Sequence, residues 1–161
     1  METNKLVIIS PSFENKGKIL RKHTGFAQDV SPEFRIKNLS EETASIAIIM
    51  DDLDVPMMDE FNHWVIWNIP KTNIIPENIP YGSHVTELGG AVQGVGFGKN
   101  RYRGPKQPFF IKTLHRYVFH IYALDSLLDL PASANKKVLK KAMEGHILQE
   151  GSIMGTYKRG E

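Results

Sequence analysis

Three segments of this chain are apolar on both of their alternating faces: SIAIIMD at 45–51, HWVIWNIP at 63–70 and RYVFHIYALD at 116–125. β-Branched and aromatic residues dominate them, and these fit an extended backbone packed on its neighbours. Successive side chains of a strand point to opposite faces of its sheet. A strand apolar on both faces has to be covered on both, so these three predict the centre of a structure, not its edge. KLVIIS at 5–10, FRIKNL at 34–39 and SIMGTY at 152–157 add further strands. From 133 the period changes. Val138, Leu139, Ala142, Met143, His146 and Ile147 recur at helical spacing, which predicts one amphipathic helix with Ser133 or Asn135 as its N-cap. Residues 71–115 are rich in proline and glycine and read as a long ordered loop, of the kind that carries function. Many strands and one late helix predict a mainly β protein: an antiparallel β-sandwich with a C-terminal amphipathic helix and a closing strand, in a single domain over 1–161.

Composition narrows the function classes. The formal net charge of the 161 residues is +2, which implies no long-range attraction to nucleic acid. KKVLKK at 136–141 reads as the solvated face of the helix. The chain has no cysteine, hence no disulfide, no thiolate metal site and no cysteine nucleophile. No segment approaches a membrane span, and the N-terminal apolar run is too short for a signal-peptide core, so a cytoplasmic location is expected. GVGFGKN at 94–100 resembles a phosphate loop without the strand-to-helix context or the Ser or Thr after its lysine.

Strand alternation selects candidate site residues. Ile46, Ile48, Met50 and Asp52 share a face, while Asp51 lies on the other. His63, Val65, Trp67 and Ile69 form a second row, and His115, Tyr117, Phe119, Ile121 and Ala123 a third. Each row ends in one ionisable residue. If the three ends lie at one edge of the sheet, Asp52, His63 and His115 line a common concavity. Singly, each has a structural reading: a histidine hydrogen-bonded in the core, an aspartate capping a turn. His120 and His146 keep that reading, and Asp51, Asp59 and Glu60 read as surface charge.

Two spaced motifs then carry a resemblance. DDLDVP (51–56) followed by HWVIWN (63–68), and RYRGP (101–105) followed by HRYVF (115–119) and YALD (122–125), resemble the two signatures of the phosphatidylethanolamine-binding protein family, in its prokaryotic Raf-kinase-inhibitor-like branch. SPEF at 31–34, AVQG at 91–94 and MGTYKR at 154–159 are similar to that branch as well. The resemblance spans about residues 5–159. It implies a sandwich of two antiparallel sheets with Greek-key links and a small anion-accepting pocket near one end. Carried over by motif, the pocket residues are Asp52, Asp54, Pro56, His63, Tyr102, Gly104, Pro105, His115 and Tyr117. The chain departs from the pattern at three places. Leu53 stands where the family has a proline, Arg101 where it has a glycine, and KQPFFIKTL (106–114) where Cys-Pro-Pro usually follows the Gly-Pro pair.

The resemblance implies a regulatory binding protein without cofactor or catalytic residues. Its expected ligand is a phosphate-type anion or a phosphorylethanolamine-like head group, held by His63, His115 and the N–H groups of the glycine-rich loop. An alternative is an interaction module that inhibits a kinase or a protease. A hydrolase or metalloenzyme is a third reading, against which stand the absence of HxH, HExxH and GxSxG. Phe109 and Phe110 either form a homodimer contact or pack beneath their own loop.

Overall fold

The structure is a computed structural model that describes residues 4–161. It has ten strands and one α-helix among them: β1 (Val7–Ile9), β2 (Gly17–Lys18), β3 (Phe34–Lys37), β4 (Ser45–Asp52), β5 (Phe61–Pro70), β6 (Ile74–Ile75), β7 (His84–Val85), β8 (Ala91–Gln93), β9 (His115–Leu124), α1 (Lys136–Met143) and β10 (Ile147–Tyr157). Seven strands make one sheet in the order β2-β10-β9-β4-β5-β8-β7, and three make a second in the order β1-β3-β6. β4 lies between β9 and β5, both antiparallel to it, so the three doubly apolar segments sit side by side at the middle of the large sheet. All eight residues of β4 are buried.

The two faces of that sheet have different covers. Ile46, Ile48, Met50, Trp64, Ile66, Phe119 and Ile121 pack with Ile8, Phe34, Ile36 and Ile75 of the small sheet in one apolar core. Ala47, Ile49, Val65, Trp67 and Leu124 pack with Leu128, Leu139 and Met143 in a second. Burying a side chain of this size stabilises the fold by about 1.5–3 kcal/mol. The apolar side chains on both faces of the central strands therefore find cover, which is why their sequences do not alternate.

Several expectations need correction. The architecture is mainly β with a late helix and a closing strand, but β2 pairs with β10 in parallel, so the large sheet is mixed. The segment 71–115 is not all loop: β6, β7 and β8 lie within it. α1 ends at Met143, short of the helical pattern that runs to Ile147, because Gly145 takes a left-handed backbone (φ 80°) and turns the chain into β10. Its inner stripe reduces to Leu139 and Met143, with Ala142 partly buried, while Val138 and Ile147 are exposed. His146 lies outside the helix and pairs with Asp125 at the surface. Asn135 is the N-cap, its side chain accepting the Val138 N–H at 3.0 Å.

Asp51 is not surface charge. It is fully buried, accepting from Lys136 Nζ at 2.8 Å and Asn62 Nδ2 at 3.1 Å. Lys136 also reaches Glu60, so part of the KKVLKK run serves the fold and is not solvated. No helix among the described residues is long and apolar enough to cross a membrane.

Candidate functional site

The C-terminal end of β4 and the N-terminal ends of β5 and β9 lie at one edge of the large sheet. In register, Asp52 faces Phe61 on one side and Tyr117 on the other. A cavity of about 380 Å³ opens there, lined by Asp52, Pro56, Phe61, His63, Phe97, Lys106, Phe110, His115 and Tyr117 among others. Asp52, His63 and His115 are each no more than 4 % exposed.

Simple alternation gives the right location for His63 for the wrong reason. Counting by two would put it on the Val65 and Trp67 face, which packs under α1. The β4–β5 register slips twice, once between Ile46 and Ile48 and again between Met50 and Asp51. The second slip leaves His63 as an extra residue between Asn62 and Trp64, and the bulge returns it to the face of Asp52. The first moves Ile69 into the core shared with the small sheet, away from Trp67.

Each imidazole is fixed by one hydrogen bond. His115 Nδ1 lies 2.7 Å from Asp52 Oδ2 and donates to it, since a carboxylate only accepts. Asp52 Oδ1 accepts the Asp54 N–H at 2.8 Å, so both carboxylate oxygens are anchored. The Nε2 of His115 is buried and has no hydrogen-bond partner. His63 Nδ1 donates to the Arg103 carbonyl at 2.8 Å, which leaves Nε2 as its second polar atom. Phe61, Phe97 and Tyr117 surround the His63 ring edge-on, with centroids 5.1–5.5 Å away. Burial among these rings pushes the His63 pKa down, more than its bond to Arg103 and the charge of Asp52 pull it up. Tyr117 is pushed up, first by burial and then by the Asp52 charge beside it.

Of the residues carried over by motif, Asp52, Pro56, His63, His115 and Tyr117 line the cavity. The other four do not. Asp54 turns to Arg116, accepting from its backbone N–H and from Nε and Nη2 at 2.7–3.0 Å. That bonding holds the Asp54 carboxyl below the usual carboxylate range. Tyr102 is fully buried beneath the wall, its hydroxyl donating to the His23 carbonyl at 2.7 Å, and burial raises its pKa. The Gly104 N–H donates to Asp29 Oδ1, and the Pro105 carbonyl accepts the Gly25 N–H, both at 2.8 Å. A Cβ at Gly104 would fall 2.0 Å from the His23 carbonyl oxygen, so only glycine fits there. These residues support the wall from behind.

The N–H groups of the glycine-rich loop are also committed. Those of Gly94, Phe97 and Gly98 donate to Val65, Asn62 and His63 carbonyls, which seats the loop on the start of β5. Arg101, at the departure from the family glycine, pairs with Asp29 at 2.6 Å and stacks on Tyr81. It serves the fold and does not line the cavity. Motif reasoning missed Phe61, Phe97, Lys106 and Phe110 as lining residues. It also missed Gln93, whose side chain accepts from Trp64 Nε1 and donates to the Pro80 and Gly82 carbonyls. The visible signal was an apolar segment, PFFI at 108–111, in a loop that has little core to fill.

A larger open groove, about 910 Å³, lies beyond Phe61 and Phe97 and is lined by Lys136, Lys137, Lys140 and Lys141. The smaller cavity is the stronger candidate, because buried ionisable groups converge there and nowhere in the groove.

Comparison with known proteins gives the family of this fold. Residues 9–158 match the family model described as phosphatidylethanolamine-binding protein. The chain is 41% identical over 152 residues to the UPF0098 protein PH1269 of Pyrococcus horikoshii, covering 94% of this chain and 76% of that one. It is 43% identical over 159 residues to a UPF0098 protein of Archaeoglobus fulgidus, of which it spans only 53% of the length. The solved structure of a phosphatidylethanolamine-binding protein homolog, CT736 of Chlamydia trachomatis, superposes with a TM-score of 0.82 at 29% identity, covering 98% of this chain and 99% of that one. YbcL of E. coli shares the fold at 22% identity, with a TM-score of 0.84 and coverage of 96% and 98%. By the extent of the family match and by these relatives, the chain belongs to the phosphatidylethanolamine-binding protein family.

Proposed function

We propose that this protein binds a phosphate-type anion, such as a phospholipid head group carries, in the cavity bounded by Asp52, His63 and His115. The observation that carries the reading is the lone Nε2 of His115. A buried ring nitrogen without a partner is costly, and the cost is lifted when a ligand oxygen meets it. Asp52 accepts from Nδ1 and fixes the ring from behind, which leaves Nε2 as the ring atom that a ligand oxygen can meet. The Lys106 side chain adds a cation to the same rim, His63 Nε2 becomes a further donor when its ring is protonated, and Phe61, Phe97 and Phe110 give an apolar surround. The N–H groups of Gly94, Gly96, Phe97 and Gly98 take no part, being bonded within the protein.

The lining contains no serine, threonine or cysteine, and the hydroxyl beside the Asp52–His115 pair is that of Tyr117, which burial and the Asp52 charge hold in its protonated, weakly nucleophilic form. That favours binding over acyl or phosphoryl transfer. Isothermal titration with phosphorylethanolamine, and with inorganic phosphate, tests the reading on wild type and on His115→Gln. Binding by wild type that the substitution abolishes is the expected result. Equal heats from both proteins would overturn it.

A further inference from the structure

Two tight turns stand at the mouth of this cavity, and both carry apolar side chains at their corners. The Met58 N–H donates to the Val55 carbonyl at 3.2 Å and closes one turn over Pro56 and Met57. The Ile111 N–H donates to the Pro108 carbonyl at 2.9 Å and closes the other over Phe109 and Phe110. Val55 and Pro56 of the first, and Pro108, Phe110 and Ile111 of the second, line the cavity, so the turns flank one opening. Turn corners ordinarily take Gly, Pro, Asn, Asp or Ser. Here Met57 holds a left-handed backbone (φ 67°), a conformation that favours glycine or asparagine, and is fully exposed. Phe109 is 72% exposed and Phe110 67%, their rings edge to face at 5.5 Å. Of the two readings of these phenylalanines, packing beneath the loop is thereby excluded.

The exposure does not come from a loose loop. The foot of the second turn is tied down: Gln107 Nε2 donates to the Tyr157 carbonyl and Arg159 donates to the Gln107 carbonyl. Lys106 and Lys112 flank it and form no salt bridge among the described residues, while Asp54 is taken up by Arg116, leaving Asp59 as the unpaired acid nearby. A held, protruding set of apolar tips with free ammonium groups beside it suits a medium that is apolar inside and anionic outside. A folded partner would need a matching socket, and a two-fold contact with a second copy would bring the lysines of this rim toward their own copies.

We infer that the Met57 and Phe109 turns dock the protein onto an anionic lipid bilayer, with the cavity mouth facing the head groups. The inference rests on the head-group reading above and names the source of the ligand. The tips enter the head-group region and the lysines meet lipid phosphates. Head-group entry needs no separate route, because the docking turns are the cavity walls.

Co-sedimentation with phosphatidylglycerol–phosphatidylcholine vesicles, and with phosphatidylcholine alone, tests this on wild type and on the double variant Met57→Asn, Phe109→Ser. Neither residue lines the cavity, and asparagine suits the left-handed position, so the variant should fold. Titration with phosphorylethanolamine and sedimentation velocity are run on both proteins. The expected result is binding to the anionic vesicles, weakened about tenfold or more by the double variant, with phosphorylethanolamine affinity unchanged. Wild type that binds phosphorylethanolamine but no vesicle overturns the docking inference and leaves the head-group reading intact. Absence of both bindings overturns both. Equal vesicle binding by the variant overturns the assignment to these turns, as does a wild-type dimer that the substitutions dissociate, which would make the rim a contact between copies.

Discussion

Asp51 and Asp52 are consecutive on one strand, are both buried, and are held by hydrogen-bond donors on opposite sides of the sheet. Asp51 meets Lys136 of α1, and Asp52 meets His115 of β9. Strand geometry alone separates them, since neighbouring side chains leave a sheet by opposite faces. One carboxylate is thereby given to the fold and the other to the cavity.

That separation predicts a double dissociation. Asp51→Asn leaves Lys136 with Glu60 only and should cost about 1–3 kcal/mol of stability, with head-group affinity unchanged. Lys136 keeps some solvent access, so the full cost of a deeply buried broken pair is not expected. Asp52→Asn should reduce phosphorylethanolamine affinity about tenfold or more, because the carboxylate that holds the His115 ring is replaced by a weaker, neutral acceptor. Urea unfolding and titration calorimetry on both variants check the pair. Equal loss of affinity in the two would show that the faces are not independent.

Anion affinity should fall as pH rises. Burial disfavours the charged form of His63, so the free protein holds this ring neutral at pH 7. An anion favours the protonated ring, hence binding takes up a proton, and uptake is easier at low pH. Affinity should therefore rise from pH 8 to pH 5.5. Calorimetry in two buffers of different ionisation enthalpy reads the proton uptake directly. A flat profile without uptake would remove the histidines from the contact.

Much of this was legible in the sequence because apolar content on both faces is a strong constraint. SIAIIM, HWVIW and RYVFHIY could only be central, and they are. Asp52 and His115 followed from counting along straight strands. His63 did not, because a bulge is a backbone event that needs its partner's register to be seen. The fate of Asp51 was hidden for a related reason, as its cation comes from a helix 85 residues away. Tyr102, Gly104 and Pro105 belong to a signature yet support the wall without lining it. A motif records which residues recur and does not say which way they face.

Two buried histidines should make the protein acid-sensitive. His23 is fully buried, with Nδ1 donating to the Val30 carbonyl at 2.7 Å and no hydrogen-bond partner for Nε2. Burial lowers its pKa, as it does that of His63. A base whose folded pKa lies below its unfolded value resists protonation only while folded. Stability is then complete above the ordinary histidine value near 6.5 and is lost as pH falls through it. Denaturant unfolding at pH 7.5 and 5.0 should show a drop, and His23→Asn should make that drop smaller. An identical drop in the variant would clear His23.

Leu53 is the place where the first signature departs from the family proline, and the structure gives that residue a task. Its N–H donates to the Arg116 carbonyl at 2.9 Å. The same Arg116 grips Asp54 with its guanidinium and its own N–H, so the turn after β4 is tied to β9 from both sides of residue 53. Proline has no N–H to give. Restoring the family residue with Leu53→Pro should therefore cost about 1 kcal/mol or more, because the gain in turn rigidity is set against a lost hydrogen bond and a carbonyl without its donor. Arg116→Ala should cost stability as well, since it removes the two guanidinium bonds to Asp54, but it leaves the backbone bonds to Asp54 and Leu53 in place. If the two bonds hold one turn together, the double variant loses less than the sum of the singles. Thermal unfolding of the four proteins measures the cycle. A stabilised Leu53→Pro variant would show that the hydrogen bond contributes less than the rigidity the proline brings.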